Sequence, residues 1–157
     1  MDKRQKFLSS AFLLGSALVI TPLTQAAYPK NMAVTIEMWN NTDADLQLAS
    51  ATWLAPDTDL AGYVMPASFR NASFGITLKN PRNDSATYRM KDGVRVCEFT
   101  FGHEAKFEWW SINPAPEKFA RARSVGQVPV ECKGSVIKGT NSMSGYTVRF
   151  VMKHITR

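Results

Sequence analysis

The chain has 157 residues, of which 45% are hydrophobic, 11% aromatic and 20% charged, and its formal net charge is +6. This length corresponds to about one domain on a scale of roughly 100 to 200 residues per domain. The aromatic content argues against intrinsic disorder, and ordinary glycine and proline usage excludes collagen-like and low-complexity chains. The composition therefore excludes a multidomain protein and indicates a single packed core.

Residues 1–26 have the features of a secretory signal peptide. Three basic residues lie within the first six, and residues 7–20 are apolar except for three serines and one glycine. This apolar segment is shorter than the roughly 17 to 25 residues that a transmembrane helix needs. We expect cleavage after Ala26, or one residue later, which leaves an exported periplasmic or secreted domain of residues 27–157 with a net charge of +4.

The first half of this domain is predicted to form three strands, because apolar and polar residues alternate with a period of two. A polar turn over 40–43 joins the first two strands, and a long loop over 55–68 precedes the third. The alternating apolar residues that mark these strands are Val34, Ile36, Met38, Leu46, Leu48, Phe74, Ile76 and Leu78.

A β-hairpin is predicted next in the chain. Asp92 and Gly93 form an Asp-Gly pair between two alternating runs, which is a strong short-range hairpin signal. The second run ends at Phe101, and we expect a turn over 102–104 in which His103 is solvated.

The last third of the chain is predicted to contain a strand over 106–111, one or two helical turns over 117–123 and a strand over 127–132. A final strand follows, with strong alternation from Tyr146 to Met152. About eight strands without a long helix predict an all-β fold, an antiparallel β-sandwich built around a single core.

The two cysteines, Cys97 and Cys132, are 35 residues apart in the exported part of the chain. An even number of cysteines in an exported protein predicts one structural disulfide. The chain lacks a C-x-x-C pair, and its two histidines are far apart, so that neither a metal site nor a bound cofactor is expected.

No catalytic motif is present that would nominate a nucleophile. The chain lacks Gly-x-Ser-x-Gly and Ser-x-x-Lys, and the adjacent His103 and Glu104 diverge on a strand. Glu98 could approach Glu104 or Glu108 across strands, as glycosidase carboxylates do, but the sequence supplies no distance. We therefore expect a protein that is not an enzyme.

Three of the four tryptophans are predicted to lie off the main core. Trp39 is out of phase with the apolar residues of its strand, Trp53 is out of phase with Leu46 and Leu48, and Trp110 cannot share a face with its neighbour Trp109. Exposed aromatic rings are costly unless they meet another surface, so these residues are candidates for a binding face. The alternative is that bulges or covering loops bury them.

A second candidate for binding is the cationic cluster Lys118, Arg121 and Arg123, which could hold phosphate, lipid headgroups or an acidic partner. A solvated loop is the alternative. No run of five basic residues occurs, and aromatic residues do not alternate with the cations, so a nucleic-acid partner is not expected.

A set of apolar and turn residues in the first half of the exported domain, between Ala33 and Leu78, follows a known pattern. These residues are Val34, Ile36, Asn41, Thr42, Leu46, Leu48, Ala51, Trp53, Pro66, Phe69 and Phe74. In these residues the chain resembles the aegerolysin family. The resemblance implies a small β-sandwich protein that binds membrane lipids and can assemble with partner proteins into pores, and it assigns no site residues.

The leading hypothesis from the sequence is an exported, non-enzymatic protein that presents aromatic residues to a lipid, glycan or protein partner. The alternative is a periplasmic immunity or inhibitor protein that blocks a toxin or a hydrolase, since small size, export and one disulfide suit both. The partner and the oligomeric state are not specified by the sequence.

Overall fold

A computed structural model describes residues 30–105 and 116–155, which fold as two packed β-sheets. Within these ranges no helix could cross a membrane. The strands of the described residues are β1 (Met32–Asn41), β2 (Leu46–Ala51), β3 (Val64–Met65), β4 (Ala72–Leu78), β5 (Asn83–Asp92), β6 (Arg95–Glu104), β7 (Glu117–Ser124), β8 (Glu131–Lys138) and β9 (Tyr146–Lys153).

The first sheet has the strand order β4-β1-β9-β8, and the second has the order β3-β2-β5-β6-β7. All described pairings are antiparallel except that of β1 with β9, which is parallel. A parallel pair needs a long connection, and here most of the domain separates the two strands. The predicted antiparallel β-sandwich with one disulfide is confirmed, with nine strands in the described residues.

The core consists of the alternating apolar residues of both sheets. In β1, Val34, Ile36 and Met38 are at most 2% exposed, while the residues between them face outward. The ring of Phe150 in β9 lies at the centre, 4.9 Å from the ring of Phe99 between centroids. Period-two alternation therefore identified the buried faces correctly, because each strand has one face against the opposite sheet.

One side of the sandwich is closed by a covalent bond and by small residues. The predicted disulfide joins Cys97 of β6 to Cys132 of β8 and so connects the two sheets. A Cβ atom on Gly134 of β8 would lie 2.7 Å from the ring of Phe150 and 3.2 Å from the backbone of Ala120 in β7. The absence of a side chain at Gly134 lets β7 and β8 approach closely on this side.

The end of β1 carries a fully buried amide. The Asn40 side chain is 0% exposed, and its Oδ1 accepts hydrogen bonds from the backbone N and the Oγ1 of Thr42, at 3.0 and 2.7 Å. Its Nδ2 donates to the carbonyl oxygens of Ala44 and Pro66, both at 2.8 Å. A polar turn joins β1 to β2 as predicted, but it lies at 42–45 rather than 40–43, because β1 extends to Asn41. The Asn40 amide ties this turn to the connection between β3 and β4.

The predicted hairpin is formed by β5 and β6. Asp92 pairs with Arg95, so the loop consists of Gly93 and Val94, and Gly93 has a φ of +56°. A positive φ at the first central position suits glycine, which explains why the chain reverses here.

Three local predictions are wrong. His103 is not in a solvated turn but is 1% exposed within β6. The segment expected to be helical is strand β7, because all eight of its residues pair with β6 and tertiary pairing overrides helix propensity. The strand expected over 127–132 begins only at Glu131 and extends to Lys138.

Candidate binding groove at the open side of the sandwich

An apolar cavity of about 390 Å³ lies between the sheets on the side where β3 and β4 are the edge strands. We call it the β3–β4 groove. Every residue that lines it is uncharged, and the lining includes Trp53, Tyr63, Val64, Phe74, Tyr88 and Met90. An apolar cavity of about 150 Å³ holds a benzene ring, so this groove has room for a larger apolar group.

The groove is open because the edge strand of the second sheet is very short on this side. β3 has only two residues, which pair with Leu46 and Gln47 at the start of β2. The disulfide lies at the other side of the sandwich. In the part of the chain that the structure describes, the rest of β2 has no strand beside it on this edge, and the groove opens there. The small residues Gly62 and Ala72 in the lining leave the opening wide.

Trp53 forms an aromatic wall of the groove. Its ring centroid lies 5.6 Å from that of Tyr88, 6.0 Å from that of Phe101 and 6.1 Å from that of Phe74. Such tilted and edge-on arrangements are favourable for aromatic rings. The wall holds its shape through ring contacts that reach both sheets.

The prediction that Trp53 is displaced from the core is wrong. The register between β2 and β5 shifts between Leu48 and Ser50, and a bulge of this kind changes which residues face inward. Trp53 follows the end of the strand, is half-buried and packs against the core. It remains a candidate binding residue because it lines the groove.

The rim of the groove exposes large apolar side chains. Tyr63 and Val64 are each 50% exposed, and Phe74 is 38% exposed. Sequence reasoning missed Tyr63 and Val64 because it assigned the whole of 55–68 to a loop. Their proximity to Phe74 depends on the packing of two sheets, for which the sequence contains no local signal.

Tyr88 and Met38 both line the groove, and the Tyr88 hydroxyl donates a hydrogen bond to the Met38 sulfur at 3.6 Å. Burial raises the pKa of Tyr88 well above its ordinary value. The hydroxyl therefore stays protonated at neutral pH, and the groove presents a neutral surface.

Trp39 lies outside the groove, on the outer face of the first sheet as its phase predicted. It is half-buried, and the Arg149 guanidinium lies 4.2 Å from its ring centroid. Arg149 also donates two hydrogen bonds to Glu37, at 2.8 and 3.0 Å. Arg70 lies 5.9 Å from the same ring. Both arginines therefore make cation–π contacts with Trp39, whose ring the sequence predicted to be available to a binding partner.

The third tryptophan candidate, Trp110, lies outside the described residues, as do its neighbours Trp109 and Glu108. The predicted strand over 106–111 lies there as well. The pairing of Glu98 with Glu104 can be assessed: they are six residues apart on one strand, which corresponds to about 20 Å. This separation is too large for a glycosidase carboxylate pair.

The predicted cationic cluster is divided between the two faces of β7. Lys118 points inward, is 6% exposed and donates to the Ser142 carbonyl oxygen. Arg121 and Arg123 are exposed on the outer face, where Arg121 lies 4.6 Å from the ring of Phe119. The sequence analysis had grouped all three because they lie within six residues of the chain, whereas a strand places residues of odd and even number on opposite faces.

Glu98 is a buried carboxylate on this outer face, held by two arginines. Arg89 contacts Oε2 at 2.6 Å and Arg123 contacts Oε1 at 2.5 Å. The hydrogen bond from Arg89 is the largest influence on the Glu98 pKa. The hydrogen bonds and positive charges of Arg89 and Arg123 together outweigh the effect of burial, so the pKa of Glu98 lies below its ordinary value of 4.5.

Asp92 is a second carboxylate with a lowered pKa. Burial by itself raises the pKa, but hydrogen bonds from His154 and Arg95 outweigh burial and hold it below 3.8. The second ring nitrogen of His154 lies 2.8 Å from Asp43. His154 therefore links the end of β9 to the β5–β6 hairpin and to the turn after β1.

We expect acid to destabilise the protein through these two carboxylates. A carboxyl whose pKa is lower in the folded state stabilises the fold above its unfolded pKa, and this contribution is lost as the pH falls through the folded value. The melting temperature should therefore decrease below about pH 4.5. Glu98→Gln should reduce the melting temperature at pH 7 and make the acid dependence shallower. Glu104→Gln, an exposed change on the same face of β6, is the control, and an equal change of slope in both variants would contradict the assignment.

A buried polar cluster lies where β6 ends and where β7 and β9 begin, and sequence reasoning missed it as well. His103 Nε2 is 2.7 Å from the Asn80 carbonyl oxygen, and the His103 and Tyr146 ring centroids are 6.0 Å apart. His103 Nδ1 and the Tyr146 hydroxyl have no hydrogen-bond partner among the described residues. Burial, and then the charge of Asp84, raises the pKa of Tyr146, while burial lowers the pKa of Lys118.

The described part of the chain contains no cluster of three or more histidine, cysteine or acidic residues that could hold a metal ion. In comparisons with known proteins, no family model and no curated protein matches this sequence. The resemblance to the aegerolysin family therefore stays a prediction from the residues quoted above.

Proposed function

We propose that this chain is an exported, non-enzymatic binding protein that holds an apolar part of its partner in the β3–β4 groove. The observation that carries the proposal is an uncharged cavity of about 390 Å³ that is open to solvent and has exposed aromatic and aliphatic residues at its rim. Ligand sites are concave and mostly apolar, and exposed apolar patches commonly mark interaction surfaces.

The chemistry of the lining favours two of the three predicted partner classes. A glycan requires several polar groups that converge on its hydroxyls, whereas the groove offers mainly aromatic and aliphatic side chains. A membrane lipid or a protein segment can supply an apolar group of the right size. A disulfide between the sheets is compatible with an oxidising location, which supports export.

The groove is expected to bind the neutral apolar fluorophore N-phenyl-1-naphthylamine. Val64→Asp places a charge at the rim of the groove and should weaken binding by about five-fold or more, because the charge must be desolvated when the probe binds. The measurement is a fluorescence titration of the folded protein. Val64 is half-exposed, so the unfolding free energy should change by no more than about 0.5 kcal/mol.

Val128→Asp is the matched control. Val128 is 40% exposed on a connection away from the groove lining, so the same change of charge should leave the affinity within about two-fold. Equal weakening by both variants, or no saturable binding by the native protein, would refute the groove as the binding site.

A further inference from the structure

Strand β4 lacks the protection that the other three sheet edges have. Natural sheets protect their edges with very short strands, charged side chains, inward-pointing charges or bulges. β3 has two residues, β7 has four charged residues including the inward-pointing Lys118, and β8 has three charged residues and a register shift. β4 has the sequence ASFGITL, without charge or proline, and pairs in unbroken register with β1.

The free edge of β4 borders the groove. Among the described residues β4 pairs with β1 alone, which leaves the backbone groups of its other edge without a strand partner. Ala72 and Phe74 alternate along the strand and both line the groove. Because side chains alternate between faces, a strand added beside β4 would place every second side chain over the same groove.

Charge and hydrogen bonding together specify the occupant. The groove lining and the seven residues of β4 are all uncharged, so a charged segment would be desolvated there without an opposite charge. An acyl chain could fill the groove, but it has no donor or acceptor for the backbone of β4. An extended polypeptide satisfies both the apolar groove and the polar edge.

We propose that an extended, uncharged segment of a partner protein adds to β4 as a further strand of the first sheet and inserts alternate apolar side chains into the groove. This inference rests on the proposed function, because it assigns the occupant of the same groove. It favours a protein partner over a membrane lipid, and a protein partner is also what an inhibitor or immunity protein requires.

The probe is a synthetic nine-residue peptide in which valine alternates with threonine, with one lysine at each end. Hydrogen exchange of the β4 amides that point away from β1 should slow by about ten-fold or more at saturating peptide, since these amides gain backbone partners. A peptide N-methylated at three consecutive central residues loses donors on both edges, and it should bind about ten-fold more weakly by calorimetry.

Phe74→Lys, which introduces the inward-pointing charge found on protected edges, should weaken peptide binding by about ten-fold or more. Ser135→Lys is the control, an exposed change on β8 at the opposite edge of the same sheet. The melting temperature of each variant verifies folding, and the exchange measurement on the native protein does not depend on any variant.

Three results would overturn the inference. The first is unchanged exchange of the β4 amides at millimolar peptide, and the second is equal binding of the N-methylated peptide. The third is a dimer of the native protein in sedimentation that Phe74→Lys dissociates, because a second copy would then occupy the edge. If the naphthylamine probe still binds the groove in these cases, the proposed function stands and only the strand addition fails.

Discussion

Replacement of both Cys97 and Cys132 by alanine is expected to lower the unfolding free energy by about 4 kcal/mol. A bridge between residues 35 positions apart restricts the unfolded chain by about this amount in the chain-entropy model. The bridge also joins β6 to β8 and thereby connects the two sheets. The melting temperature should decrease by about 10 °C or more.

The measurement is thermal and denaturant unfolding of the native protein and the double variant. A double variant that unfolds with the native midpoint would show that the link between the sheets adds nothing to stability.

Asn40→Asp is expected to destabilise the protein by about 3 kcal/mol or more, although the two side chains have nearly the same shape. The Asn40 amide donates to the Ala44 and Pro66 carbonyl oxygens from a position that is 0% exposed. In an aspartate the NH2 group is replaced by an oxygen, which would face the two carbonyl oxygens without a hydrogen to donate. The variant would also bury an unpaired negative charge.

The neighbouring residue supplies a matched control. Asn41 is half-buried, and its Oδ1 accepts a hydrogen bond from the Arg70 Nε at 3.1 Å, a role that an aspartate can take over. Asn41→Asp should therefore change the unfolding free energy by no more than about 0.5 kcal/mol. Denaturant unfolding of the two variants measures the difference, and similar losses in both would show that the Asn40 amide is not the critical group.

Most of the fold could be predicted from sequence because long strands with one buried face are locally encoded. The alternation of Val34, Ile36 and Met38 identified both the strand and its inward face, and the Asp92-Gly93 pair identified the hairpin. The segment 117–124 shows the limit. Its Glu, Lys, Ala and Arg residues favour a helix in isolation, but eight consecutive pairings with β6 make it a strand.

The candidate site was predicted only in part. Trp53 was predicted to be a binding candidate because its position in the alternation pointed away from the core. The bulge in β2 reverses that orientation, and Trp53 lines the groove from the inner side instead. Tyr63 and Val64 were missed because nothing local distinguishes the two-residue strand β3 from the loop around it. Lys118 was grouped with Arg121, and the strand placed them on opposite faces.

The sequence by itself determined the all-β class, the disulfide and the buried faces of the long strands, since each depends on local periodicity or on two cysteines having no other partner. Only the tertiary structure decided which strands lie at the sheet edges, and therefore that Phe74, Val64 and Trp53 border one groove. Edge position results from pairing between segments far apart in the chain. Its energy is shared among backbone hydrogen bonds that every residue type except proline can form.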